Sequence, residues 1–163
     1  MKIVLCSDNH SNLNAIKKIL NDNPDADYYW HLGDSESFDP VKELSPFISV
    51  KGNNDLSNDL PVYKVIETGN HRFLLTHGHR YMWGSLEGLY LLAKEQNCDI
   101  VLFGHTHMFH NEKFDGVTFI NPGSCSHNRN GEAPTYCVIE ANENDFKITK
   151  KYVDNNSSKI LNN

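Results

Sequence analysis

Residues 3–13 read Ile3-Val4-Leu5-Cys6-Ser7-Asp8-Asn9-His10-Ser11-Asn12-Leu13: an apolar run, then a carboxylate and an imidazole two residues apart, then a candidate helix cap. An uninterrupted apolar run of this length is the pattern of a strand buried on both faces, as in a parallel sheet. Ser11 fits the N-cap of a helix that carries Leu13, Ile16, Ile19 and Leu20 on one side. The stretch therefore predicts strand, polar loop, helix. Asp8 and His10 then sit at the carboxyl end of a strand, the edge at which open α/β sheets gather their chemistry.

The same pattern recurs along the chain. A strand over 28–32 runs into Gly33-Asp34, Asp39-Pro40 opens a short helix through Leu44, and a strand over 47–50 ends in Gly52-Asn53-Asn54-Asp55. Beyond this the alternation changes, and residues 62–68 and 72–76 flank Gly69-Asn70 as an antiparallel hairpin. Ser85 begins a helix with Leu86, Leu89, Tyr90 and Ala93 at helical spacing, and an apolar strand over 99–103 leads into Gly104-His105-Thr106-His107. Strands follow at 109–114, 117–120, 135–140 and 146–152, with Asn121-Pro122-Gly123-Ser124 between the second and third of them. Early βαβ units and a later strand-rich half predict an α/β fold of two packed sheets with helices outside.

At 163 residues the chain fits one domain, expected over 1–153, with an Asn- and Ser-rich polar tail at 154–163. A net charge of −6 removes the broad basic footprint of a long nucleic-acid partner. No apolar span reaches membrane length, and the first residues lack a secretory pattern, so a cytoplasmic location is expected. Cys6, Cys98, Cys125 and Cys137 have no CxxC spacing and read as reduced thiols, the first, second and fourth of them in the core.

The polar residues at the strand ends are of the types that bind metals. Asp8 and Asp34 offer hard oxygens, Asn53 a neutral carbonyl, and His10, His77, His105 and His107 imidazole nitrogens. One carboxylate can serve two cations, and Asp34 is the natural one for that role. Two ions about 3.5–4 Å apart clamp phosphoryl oxygens and make hydroxide available near neutral pH, which points to phosphoester hydrolysis. Each motif alone also fits an ordinary turn or a packed histidine. Their joint occurrence at successive strand ends is what carries the reading.

Taken in order, these motifs resemble the calcineurin-like metallophosphoesterase family, whose pattern is Asp-x-His, Gly-Asp, Gly-Asn-His-Asp/Glu, His and Gly-His-x-His. The resemblance spans residues 3–124, and Thr76-His77-Gly78-His79 and Asn121-Pro122-Gly123-Ser124 are similar to the small bacterial and archaeal phosphodiesterase branch. It implies a four-layer α/β/β/α sandwich and two divalent ions, Mn²⁺ first among Mn²⁺, Ni²⁺, Fe²⁺ and Zn²⁺. It places Asp8, His10 and His107 on one ion, Asn53, His77 and His105 on the other, and Asp34 between them. Metal-bound hydroxide would then hydrolyse a small phosphodiester. A small homo-oligomer is an expectation from the resemblance alone.

Asn54 departs from the pattern, since many members carry there a histidine that protonates the leaving group or steadies the phosphate. An amide can donate a hydrogen bond but is not a useful acid. His79 is the next candidate for proton delivery, and Asp55 reads as a loop or ligand brace. His31 reads as a packed residue, His71 as an exposed turn residue, and Arg129 as a possible phosphate contact or a plain surface cation. Phe38, Tyr81 and Trp83 read as core or lid packing before cleft lining. Two enzyme alternatives use the same metals, a phosphomonoesterase and a nucleotide pyrophosphatase. A non-catalytic scaffold is the third rival, because the retromer subunit of this fold is similar over residues 83–124.

Overall fold

The computed structural model describes residues 1–142, 146–154 and 158–161. Strand β1 (Lys2–Cys6), helix α1 (Leu13–Asp22), β2 (Tyr28–His31), α2 (Pro40–Glu43) and β3 (Ile48–Ser49) come first. They are followed by β4 (Tyr63–Thr68), β5 (His71–Thr76), α3 (Glu87–Glu95), β6 (Ile100–Leu102), β7 (Phe109–Phe114) and β8 (Val117–Pro122). The chain closes with β9 (Thr135–Ala141), β10 (Phe146–Tyr152) and β11 (Ser158–Leu161). One sheet has the order β11-β10-β9-β1-β2-β3 and the other β4-β5-β6-β8-β7. β1, β2 and β3 pair in parallel, as do β5, β6 and β8, while β9, β10 and β11 in the first sheet and β4 and β7 in the second pair antiparallel.

Side-chain alternation turns these strands into four layers. Ile3 and Leu5 of β1, Phe73 and Leu75 of β5, Ile100 and Leu102 of β6, and Cys137 and Ile139 of β9 all face the space between the sheets. Trp30 and Phe73, one from each sheet, meet there edge to face at a centroid separation of 5.0 Å, a geometry worth about 1 kcal/mol beyond its buried area. The alternate residues point outward. Val4 and Cys6 pack with Ile16 and Ile19 of α1, whereas Leu74, Val101 and Phe103 pack with Leu89, Leu92 and Ala93 of α3. The α/β/β/α sandwich follows, and all four cysteines are buried and free. No helix among the described residues is long and apolar enough to cross a membrane.

Some expectations are corrected. The cap of α1 is Asn12, not Ser11: its side chain accepts the Ala15 N–H at 3.2 Å, while Ser11 sits at φ 62° one residue too early. α3 begins at Glu87, with the Ser85 hydroxyl accepting the Glu87 N–H. His71 opens β5 half-buried instead of lying in an exposed turn, because Asp99 holds its Nδ1 at 2.6 Å. The stretch expected to be a polar tail contains β11, whose backbone completes the edge of β10. Residues 155–157 and 162–163 of that stretch lie outside the described residues.

Candidate metal centre

Five of the six strands that pair in parallel deliver a candidate ligand just beyond their carboxyl ends: β1 gives Asp8 and His10, β2 Asp34, β3 Asn53, β5 His77, and β6 His105 and His107, while β8 runs into the Asn-Pro-Gly-Ser turn. Two triads come close enough for their ligand atoms to share an ion, Asp8-His10-His107 and Asp8-Asp34-His77, with all atoms of each triad within 4.8 Å. The first matches one expected ligand set. In the second, Asn53 Oδ1 stands 3.2 Å from His77 Nε2, and Asp34 Oδ2 stands 3.4 Å from the same nitrogen. Asp8 thus belongs to both triads, a position the sequence reading gives to Asp34. His105 enters neither triad, but its ring lies 5.2 Å from that of His77 and its N–H donates to Asp8 Oδ2.

The tautomers make this arrangement fit a cation. His10 Nδ1 donates to Glu36 Oε1 at 2.8 Å and His107 Nδ1 to the His127 carbonyl at 3.0 Å. In the neutral rings both Nε2 atoms therefore carry lone pairs, yet they face each other at 3.2 Å. His107 Nε2 also lies 3.1 Å from Asp8 Oδ1, a buried oxygen with no hydrogen-bond donor. His77 repeats the pattern: Nδ1 donates to the Leu32 carbonyl at 2.7 Å, leaving Nε2 among carboxylate and amide oxygens. Acceptors converging on acceptors call for a proton or a metal ion between them.

The charges agree. Burial pushes the Asp8 carboxyl up, but the adjoining His107 imidazole, the charge at His77 and the Ser7 hydroxyl hold it below the usual carboxylate range. Asp34 is likewise opposed by burial and is drawn down to about 2, chiefly by His77. Burial lowers the His77 pKa, and Asp34 and Asp8 more than restore it, so it ends above the ordinary value. A proton and a metal ion would compete for the same His77 Nε2 lone pair. His79 and His105 are both lowered, first by burial and then by the charge at His77.

Backbone strain marks the same place. Asp8, His10, Asp34, His105 and His107 have φ of 55°, 42°, 54°, 67° and 55°. Left-handed backbone at non-glycine residues costs of order 1 kcal/mol each and persists where the surroundings impose it. Asp55 supplies much of that constraint. Its carboxylate accepts from the N–H groups of Asp34, Ser35, Glu36 and Gly52 and from the Ser35 hydroxyl, all within 2.9 Å. Asp55→Ala is expected to cost about 3 kcal/mol in urea unfolding, since it strands several buried donors. A loss below about 1 kcal/mol would show that the loop is held elsewhere.

Other residues brace the ligands without having stood out in the sequence. Glu36 orients His10, Ser7 donates to Asp8 Oδ2 at 2.5 Å, and Ser124 Oγ donates to the Asp8 carbonyl. Asn121 Nδ2 donates to the Gly104 carbonyl and to Thr106 Oγ1, so the Asn-Pro-Gly-Ser turn serves as a clamp on two ligand loops. Asn54 is engaged too: its N–H and its Nδ2 each donate to Asp34 at 2.8 Å. His79 is half-buried, 5.4 Å ring to ring from His77, with its Nδ1 unpartnered. His31 is packed as expected, accepting the Gly33 N–H. Phe38 and Trp83 are not packed; they are 99% and 84% exposed.

Known proteins share this scaffold. The probable metallophosphoesterase YsnB of Bacillus subtilis is 30% identical over 154 residues, covering 93% of this chain and 90% of that protein. A conserved Streptococcus pneumoniae protein described as a predicted phosphoesterase superposes with a TM-score of 0.88 at 27% identity, over 99% of this chain and 97% of that one. A structure described as a novel archaeal phosphodiesterase gives a TM-score of 0.74 at 26% identity, over 99% and 100% of the two chains. The model of the calcineurin-like phosphoesterase superfamily domain matches residues 1–144, a span that contains every candidate ligand. With its strand-end carboxylates and imidazoles placed on that scaffold, the chain belongs to the calcineurin-like phosphoesterase superfamily.

Proposed function

We propose that this protein is a two-metal phosphodiesterase that uses Mn²⁺ and hydrolyses a small phosphodiester. Asp8, His10 and His107 would hold one ion, and Asn53, His77 and His105 the other, with the Asp34 and Asp8 carboxylates available to both. The observation that carries the reading is the convergence of the His77 and His107 Nε2 atoms on carboxylate oxygens and of His10 Nε2 on His107 Nε2, with each Nδ1 already spent. Similarity to the archaeal phosphodiesterase supports a diester over a monoester. Two divalent ions bound there supply Lewis acidity toward phosphoryl oxygens and lower the pKa of water.

The chain's own residues position and protonate. Glu36 and the His127 carbonyl fix the ring planes of His10 and His107, and Asp55 fixes the Asp34 loop. Asn54 spends its amide on Asp34 and has no acidic proton, so it orients that carboxylate and does not protonate a leaving group. His79 takes the proton-donor role on the acid side of its titration, since its lowered pKa leaves the ring neutral above it. His79→Gln is expected to slow diesters with alkoxide leaving groups by about 100-fold, while nitrophenolate diesters, which need no acid, change little. Equal losses on both substrates would remove His79 from that role.

The direct test is chelated protein assayed on bis(p-nitrophenyl) phosphate and p-nitrophenyl phosphate, with Mn²⁺ or Ni²⁺ restored. The diester is expected to turn over faster; no turnover of either with any metal favours a scaffold. Binding also shows in stability. Mn²⁺ at one hundred times its dissociation constant stabilises by about 2.7 kcal/mol, a rise in Tm of about 5–10 °C for a chain of this size. An unchanged Tm across a Mn²⁺ titration contradicts a preformed site.

A further inference from the structure

A groove of about 650 Å³ lies against the metal centre, lined by Glu36, Ser37, Phe38, Asn54, Leu56, Ser57, Asn58 and Asp59. Two of these residues touch candidate ligands: Glu36 holds His10, and Asn54 Nδ2 donates to Asp34 Oδ2 at 2.8 Å. The groove therefore adjoins residues that hold two of the candidate ligands. The size is that of small-molecule sites. It is lined from two separate loops, the one between β2 and α2, which gives Phe38, and the one between β3 and β4, which gives Leu56.

Phe38 and Leu56 are 99% and 91% exposed, although each stands within a polar loop. Neither contributes to a core cluster among the described residues. Large apolar side chains presented on the lining of a site beside a metal centre contribute most when a ligand covers them. The charge of the lining narrows the ligand. Glu36 and Asp59 are the ionisable residues in it, and no lysine or arginine lines it. Lys51 approaches from outside and is tied to Asn58 Oδ1 at 2.8 Å. A second phosphate or a carboxylate in this groove would meet like charge without compensation.

We propose that this groove is a specificity subsite for one ester group of the diester, an apolar group of aryl size that is uncharged or cationic, held by Phe38 and Leu56. The proposal rests on the phosphodiesterase reading for its substrate, but its test does not depend on turnover. Diphenyl phosphate, dimethyl phosphate and bis(4-carboxyphenyl) phosphate are titrated calorimetrically into the Mn²⁺-loaded protein and into the double variant Phe38→Ala/Leu56→Ala. Both replaced side chains are exposed, so the fold is expected to survive.

The wild type should bind diphenyl phosphate about tenfold more tightly than dimethyl phosphate, the effect of covering one ring. It should bind the dicarboxylate more weakly than diphenyl phosphate. In the double variant the tenfold preference should shrink to about twofold, with dimethyl phosphate affinity unchanged. Equal affinity for the diphenyl and dimethyl esters in the wild type overturns the subsite. A preference that survives in the variant, or a parallel loss of both ligands, overturns the assignment to Phe38 and Leu56. A wild type that shows the preference but hydrolyses no diester upholds the subsite and sinks the phosphodiesterase reading.

Discussion

Asp8→Ala is expected to lower diester turnover by at least about 10³-fold, more than the 10–100-fold typical of residues that only support a metal ligand. Asp8 is fully buried and belongs to both ligand triads. One oxygen, Oδ1, has no hydrogen-bond donor, while the other takes the Ser7 hydroxyl and the His105 N–H. Removing it takes a carboxylate from both triads at once and frees His77 and His107 from a common partner. Asp8→Asn keeps an oxygen at the same place but not its charge, so it should fall between Ala and wild type. Rates are measured with bis(p-nitrophenyl) phosphate at saturating Mn²⁺. A loss of tenfold or less in Asp8→Ala would exclude Asp8 from the ligands.

Gly104→Ala should also cripple the site, without changing any ligand. A methyl group at this position would stand 2.1 Å from Ser7 Oγ, 2.9 Å from Asp8 Oδ2 and 3.2 Å from His77 Nδ1. Space does not exist for it unless Ser7 and the Asp8 carboxylate move. Overpacking of this kind costs about 1–3 kcal/mol of stability, and displacing a catalytic group by about 1 Å costs about 10²-fold in rate. Both effects are expected, read by urea unfolding and by kcat. Ser7→Ala in the same chain deletes the atom at 2.1 Å and should return part of the stability. Wild-type stability and rate in Gly104→Ala would mean that the loop yields freely and that the close approach imposes nothing.

The glycine in that prediction illustrates what the sequence shows and what it conceals. Gly104 is conspicuous in the chain only as punctuation after an apolar run; its reason, the approach of Ser7 and Asp8 from β1, exists only once two sheets have packed. The strands themselves are readable because burial on both faces demands continuous apolar runs, and the alternate packing of Val4 and Leu5 follows from strand geometry. The candidate ligands are readable because each follows such a run. Their left-handed backbone is not, since Asp and His tolerate φ near 55° better than most residues but adopt it in only a minority of cases.

Supporting contacts are the least visible. Glu36 is one more acidic residue in a polar loop until the parallel pairing of β1 and β2 brings it to His10, and Asn121 reads as a turn until it is found holding Gly104 and Thr106. Asn54 reads from the sequence only as an amide where the family pattern has a histidine. Its actual bond, to Asp34, needs the β3 loop folded back over the β2 loop. His71 misleads for the opposite reason, since Asp99 lies 28 positions away and no local pattern links them. Phe38 and Trp83 look like core residues by type, and only tertiary structure leaves them at the surface.

The central claim is a pair of ions on one shared set of ligands, and metal stoichiometry tests it most directly. Chelated wild type and Asp34→Ala are dialysed to equilibrium against Mn²⁺, and bound metal per chain is counted by elemental analysis. Wild type should hold two ions per chain and Asp34→Ala no more than one. A wild type that saturates at one ion or none, or an Asp34→Ala variant that keeps two, would contradict it.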